Sequence, residues 1–179
     1  SDEVRASAAA AARNLRHTLA QTLDARWVPS ENLHITVRFI GYVSDEGVSA
    51  MLETLTRPLD MAPFEIEFGG CGRFPPRGAP RVLWIRLSAG LSSLAALHEA
   101  FNRRVAPLGY APETRPFSAH LTLARIKDAR GSAKSVDAAL HSVRTDTVTQ
   151  RVETVTVFES QLSPRGSVYK VMRRIRLSS

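Results

Sequence analysis

Apolar and polar positions along the chain change period several times, and each change marks an element. Over Asp2 to Leu23 an alanine-rich stretch keeps Val4, Leu15, Leu19 and Leu23 available for one inner face, which predicts a helix. From Asn32 to Gly41, apolar Leu33, Ile35, Val37 and Phe39 alternate with His34, Thr36 and Arg38, the pattern of a half-buried strand. Ser44-Asp45-Glu46-Gly47 reads as a helix start, with Ser44 as N-cap, and the helix runs to about Thr56 before Pro58. Phe64 to Phe68 alternates again with Glu65 and Glu67 outward. Gly69 to Gly78, rich in breakers and carrying Arg73 and Arg77, is predicted as a loop. Val82 to Leu87 predicts a strand, Ser92 to Val105 a helix, and Ser118 to Ile126 a strand reached through a linker containing Pro107, Gly109, Pro112 and Pro116. A short helix near Ser135 to Ser142 precedes two closing strands, Arg151 to Leu162 and Val168 to Leu177, around the turn Ser163-Pro164-Arg165-Gly166.

Helices mixed with hairpins point to an α+β fold with largely antiparallel sheets. The only internal repeat sets His34-to-Ile40 against His120-to-Ile126, which agree at His, Thr and the terminal Ile. Two pseudo-symmetric lobes with helices outside and a central cleft bearing two His-x-Thr strands account for that agreement. No low-complexity linker separates them, so residues 1–179 are expected to form a single domain of two lobes.

In extended chain, side chains two apart share a face. His34 with Thr36, and His120 with Thr122, are therefore expected on wet faces, with Leu33, Ile35, Leu121 and Leu123 inward. Paired imidazoles, both titrating near neutrality, supply one base and one acid without a metal. Zinc is a poor fit, because Thr is a weak ligand and no His/Cys/Asp/Glu cluster lies nearby. No nucleophile elbow is visible, and the glycines around Cys71 lack the Lys-Ser/Thr ending of a P-loop. A phosphodiester held between two imidazoles survives these exclusions.

Composition narrows the setting. Hydrophobic residues make up 44% and charged residues 23%, ordinary for a soluble globular chain. No apolar run approaches the roughly 20 residues of a membrane-spanning helix, and Ser1-Asp2-Glu3-Val4-Arg5 lacks the regions of a signal peptide. One cysteine, Cys71, permits no internal disulfide, so a cytoplasmic location is expected. The net charge of +7, mostly arginine, favours a polyanionic partner without identifying one.

The two His-x-Thr-x motifs, the stretch Trp27-Val28-Pro29-Ser30-Glu31-Asn32-Leu33-His34-Ile35-Thr36 and the phrase His120-Leu121-Thr122-Leu123-Ala124-Arg125 resemble the 2H phosphoesterases. The nearest branch is the bacterial and archaeal RNA 2′,3′-cyclic phosphodiesterases, also called 2′-5′ RNA ligase-like proteins. Pro80-Arg81-Val82-Leu83-Trp84 and Ser160-Gln161-Leu162-Ser163 with Tyr169 match that branch too, so the resemblance covers essentially the whole chain. Members usually open with a short apolar strand, whereas this sequence begins at the first helix. A sheet without that strand needs another cover for its edge.

The resemblance implies metal-independent hydrolysis of RNA 2′,3′-cyclic phosphate ends to 2′-phosphates; no cofactor is expected, and the chain is expected to act as a monomer. The resemblance assigns His120 as base and His34 as acid; the symmetry of the motifs cannot assign them. Thr36 and Thr122 would then hold the non-bridging oxygens. Arg125 and Phe39, each five residues after a motif histidine, correspond to positions that flank the nucleotide base. Simple alternation turns an offset of five to the opposite face, so the strand must end, bulge or twist first. A charge facing a core is costly, which favours Arg125; Phe39 suits a core equally well. The same site could join RNA halves through a 2′-5′ bond, and an RNA-binding module with vestigial histidines is the non-enzymatic alternative. His17, His98 and His141 read as helix-packing or solvated, Trp27 and Trp84 as packing, Cys71 as buried or incidental. Arg73, Arg77, Arg81 and Arg115 read as an RNA path or plain surface charge.

Overall fold

The computed structural model describes residues 1–129, 133–143, 145–163 and 166–178, the side chain of Leu162 excepted. Its elements are α1 (Asp2–Thr18), β1 (Leu23–Trp27), a 3₁₀ turn (Ser30–Asn32), α2 (Asp45–Thr56), β2 (Leu59–Asp60), β3 (Phe64–Phe74), β4 (Val82–Ala89), α3 (Leu91–Val105), a second 3₁₀ turn (Ala106–Leu108), β5 (His120–Ala129), α4 (Ala133–Ser142), β6 (Val148–Val152), β7 (Thr154–Ser163) and β8 (Gly166–Ser178). The fold is α+β, with largely antiparallel ladders. No described helix is long and apolar enough to cross a membrane.

The chain forms two compact units. The first comprises Ser1–Thr36, Ile66–Leu91 and Ala119–Gln150, and its sheet runs β1-β5-β4-β3-β6. Helix α1 lays Val4, Ala8, Ala11 and Leu15 inward, while Leu83, Ile85, Leu121 and Leu123 point inward from the sheet. Ser1 caps α1, its side chain accepting from the Val4 N–H. The predicted helix to Leu23 ends earlier, at Thr18, and a turn leads into β1. The edge of β5 explains this: Leu23–Trp27 pair along it and cover the ladder that would otherwise stand open.

The second unit comprises Val37–Glu65, Ser92–Ser118 and Arg151–Ser179. Its core joins Met51 and Leu55 of α2, Leu59, Leu97, Phe101 and Val105 of α3, and Ile175 and Leu177 of β8. Helix α2 begins at the predicted cap, where Ser44 Oγ accepts from the Gly47 N–H. The predicted strand Asn32–Gly41 is not one. Beyond the turn at Ser30–Asn32 the segment makes no ladder, because other groups take its partners. Val37 and Ile40 pack on the second core, the Val37 carbonyl accepts from His98 Nδ1 at 2.7 Å, and Arg38 bonds the Ala111 carbonyl and Glu113.

His98, on α3, is buried and stacked on Phe117 at 4.5 Å between centroids. Since Val37 supplies only an acceptor, Nδ1 carries the hydrogen and Nε2 accepts from Asn102 Nδ2 at 2.9 Å. This bears out the helix-packing reading of that histidine.

Two further boundaries differ from expectation. The predicted loop from Gly69 is strand as far as Phe74, because two residues, Gly69 and Gly70, bulge opposite Arg86 and the ladder resumes at Cys71. Gly70 has φ +76°, which a side chain would strain. The single strand predicted from Arg151 is two, β6 and β7, which separate at Glu153 and belong to different sheets. Of the predicted turn joining β7 and β8, Pro164 and Arg165 lie outside the described residues.

Arg73 is not a surface charge. It is buried, with Nε 2.6 Å and Nη2 3.0 Å from the two Asp137 oxygens on α4. Nη1 donates to the Pro75 and Gly78 carbonyls, each at 2.9 Å. These bonds hold the Asp137 carboxyl below the usual carboxylate range. A depressed pKa gives stability that is complete above the unfolded value, near 4, and is lost as pH falls through the native one. Arg73→Met is therefore expected to lower the urea midpoint at pH 7, with the gap from wild type narrowing below about pH 4. Denaturation curves across that range check it.

Candidate active site

The second motif owes its geometry to one bulge. Arg86 faces His120, Ile85 faces Leu121 and Trp84 faces Thr122, but the next pairs are Leu83 with Ala124 and Val82 with Arg125. Leu123 is the extra residue on β5. Leu123 and Ala124 are 1% and 0% exposed, so both turn inward and the alternation resets. Inward positions then run Leu121, Leu123, Ala124 and Ile126, and His120, Thr122 and Arg125 share the open face. For Arg125 to share the face of His120 the strand had to end, bulge or twist, and it bulges.

Around His120 the sheet supplies an aromatic wall. The Phe74 ring stands edge-on to the imidazole at 5.0 Å and 81°, the Trp84 ring at 6.1 Å and 60°. Phe74 and Trp84 stack on each other at 4.8 Å. Gly72, opposite Trp84 on β3, makes room for this: a Cβ there would lie 2.6 Å from the indole Cζ2. The sequence placed Trp84 as a packing residue but carried no sign that it packs beside His120. Cys71 next to this wall is half-buried, and burial pushes its thiol up to about 11, against a smaller opposing effect of Arg86. It is no thiolate nucleophile at neutral pH.

The first motif reaches the same compact unit by another route. β1 runs antiparallel to β5 and ends with Trp27 opposite Ala124, after which the Val28 N–H bonds the Leu123 carbonyl at 2.8 Å. The chain then passes through the turn at Ser30–Asn32 to His34. Leu33, beside His34, and Leu123, beside Thr122, line one small cavity of about 30 Å³ with Val28 and α1 residues Ala8, Ala9 and Ala12. His34 is half-buried, with Nδ1 2.7 Å from the Asn32 carbonyl. That oxygen can only accept, so Nδ1–H donates to it. Thr36 is exposed at the end of this unit. Phe39 belongs to the second unit and is 65% exposed, so it is not a core residue. Arg77, Arg81 and Arg115 are exposed.

Comparison with known proteins gives this arrangement a lineage. Residues 3–163 match the model of the 2′-5′ RNA ligase superfamily. The chain belongs to that superfamily. The resemblance to 2H phosphoesterases seen in the motifs is thereby borne out. Among superfamily relatives, a protein of Aeropyrum pernix named RNA 2′,3′-cyclic phosphodiesterase is 32% identical over 92% of this chain and 94% of its own. One of the same name from Archaeoglobus fulgidus is 33% identical over 82% of this chain and 80% of its own. A Thermus thermophilus crystal structure superposes with a TM-score of 0.75 at 28% identity, covering 99% of this chain and 93% of that one. Escherichia coli LigT complexed with 3′-AMP has the same fold, with a TM-score of 0.68 at 23% identity over 94% of this chain and 92% of LigT.

The packing of Trp84 on Gly72 makes a direct prediction. Gly72→Ala is expected to cost about 1–3 kcal/mol of stability through overpacking, read by chemical denaturation. Adding Trp84→Phe, which removes the indole atoms nearest position 72, is expected to recover part of that loss.

Proposed function

We propose that the protein hydrolyses 2′,3′-cyclic phosphate ends of RNA to 2′-phosphates by metal-independent catalysis with His34 and His120. The carrying observation is that His120 and Thr122 share one open face of β5, while the chain leading to His34 is bonded to that strand at Leu123 and shares its cavity. The relatives' shared name supports the substrate class. The whole chain is taken as one functional domain acting on an RNA end or a cyclic nucleotide.

His120 removes a proton from water as its oxygen attacks phosphorus. The bond to the 3′-oxygen breaks, and His34 delivers a proton to that leaving oxygen. A 2′-phosphate and a free 3′-hydroxyl result, and the two imidazoles end with exchanged protonation. Thr36 and Thr122 donate to the non-bridging oxygens, where charge builds in the transition state. The aromatic wall limits how far the His120 ring can turn. Arg125, on the same open face, contacts the nucleotide, and Phe39 is the exposed candidate for stacking on its base. A joining reaction uses the same groups: a 5′-hydroxyl in place of water leaves a 2′-5′ linkage, and the superfamily's name favours keeping this second reading.

The wild-type enzyme is expected to open a cyclic-phosphate oligonucleotide in excess EDTA, with a bell-shaped pH profile and a 2′-phosphate product identified by digestion and mass spectrometry. His34→Ala and His120→Ala are each expected to lower kcat by about 10²–10⁴-fold, and Thr122→Val by about 10²-fold, with folding checked by circular dichroism. A strict need for divalent metal, or full activity in both histidine variants, overturns the mechanism.

A further inference from the structure

We propose that His98 on α3 is a positioning residue for both His-x-Thr motifs, fixing the chain just after the first and just before the second. This rests on the phosphodiesterase reading above. The Val37 carbonyl accepts from His98 Nδ1 at 2.7 Å. The Phe117 ring stacks on the same imidazole, 4.5 Å between centroids and 15° between planes. Val37 directly follows Thr36, and only Ser118 and Ala119 separate Phe117 from His120. One buried side chain of the second unit thus engages both segments by which the chain joins that unit to a motif.

Both segments depend on such a hold. From Leu33 to Val43 the chain forms neither helix nor ladder, so its course is set by individual bonds. Arg38, next to Val37, adds another: its guanidinium donates to the Ala111 carbonyl and pairs with Glu113 at 3.5 Å. From Ala111 to Pro116 the chain is exposed, and the half-buried Phe117 is where it returns to the protein before β5. The imidazole is itself fixed in place. Leu97, Phe101 and Val105 anchor α3 in the core of the second unit. Asn102, one helical turn after His98, donates to Nε2 at 2.9 Å. Asn102 thus fixes one edge of the ring and Phe117 its face, which leaves Nδ1–H directed at Val37. A buried polar pair costs free energy unless its bonds are made, and a leucine at 98 would serve packing alone. Displacing a reacting group by about 1 Å can slow a reaction about 10²-fold, so a bond to the backbone beside a motif acts on turnover.

The test compares His98→Leu with His98→Asn on a 2′,3′-cyclic mononucleotide, after thermal denaturation has established that each variant is folded at the assay temperature. The two replacements have nearly the same shape, and only asparagine carries an N–H donor where Nδ1 stands. His98→Leu is expected to lower kcat by about 10–10²-fold with KM within about threefold of wild type. His98→Asn is expected to recover part of that loss. Phe117→Leu, which leaves the Val37 bond in place, is expected to lower kcat by about tenfold. If His98→Leu does not fold, His98→Phe replaces it, keeping a ring on Phe117 without a donor. In NMR spectra of the histidine rings, loss of the donor is expected to shift the resonances of His34 and His120. Unchanged kcat in a folded donor-less variant or in Phe117→Leu, or equal losses in the leucine and asparagine variants, overturns the proposal. A wild type that opens no cyclic phosphate rejects the phosphodiesterase reading instead. The ring resonances then decide alone: their shift supports the positioning role, and their constancy overturns it.

Discussion

One extra residue in β5 governs the rest of the site. Without Leu123 as a bulge, alternation would send Arg125 inward among Leu121 and Ile126, where an unpaired guanidinium costs several kcal/mol. With it, two consecutive side chains fill the space under α1, and the strand resumes with its charges outward. The bulge also lies where β1 ends, so the Leu123 carbonyl is available to the Val28 N–H. One local departure from regular pairing thus sets the open face of the second motif and the start of the path to the first.

The two motifs carry nearly the same letters and are held by different means. His120 and Thr122 sit in a ladder between β1 and β4, and their directions follow from pleat and register. His34 and Thr36 have no ladder. Their segment depends on single contacts: a 3₁₀ turn, the Nδ1 bond to Asn32, and Leu33 in the cavity under α1. The aromatic wall adds a constraint on the His120 side, and Phe74 and Trp84 come from strands outside both motifs.

Elements whose signals are local were legible in the chain. Ser44 with the acids after it marked α2 to the residue, and β4, β5, α3 and α4 fell within a few positions of expectation. β1 was not legible, because Leu23-Asp24-Ala25-Arg26-Trp27 becomes a strand only against the edge of β5. Alternation from Asn32 to Gly41 was a true pattern with a false conclusion, since side chains such as His98 and Val37 claim the backbone and the core in place of a neighbouring strand. The glycines after Phe68 were read as breakers, yet Gly72 is needed inside β3 for the indole that stacks above it, a requirement invisible without the fold. At the site, the four His and Thr candidates could be named from spacing alone. The face taken by Arg125 could not, because the bulge at Leu123 exists only in the pairing of β5 with β4, where Trp84 faces Thr122 and Leu83 faces Ala124.

Arg73 bears on which changes this chain can accommodate. Its Nη1 reaches the carbonyls of Pro75 and Gly78 at equal distances, and the Arg81 N–H closes on the Phe74 carbonyl behind them. A planar group of fixed width thus serves as a gauge for the loop. Pro76 and Arg77 are exposed at the tip and make no part of that span, whereas an added or lost residue between 75 and 78 is expected to pull one carbonyl out of reach. The length of this corner is thus tied to the width of one side chain.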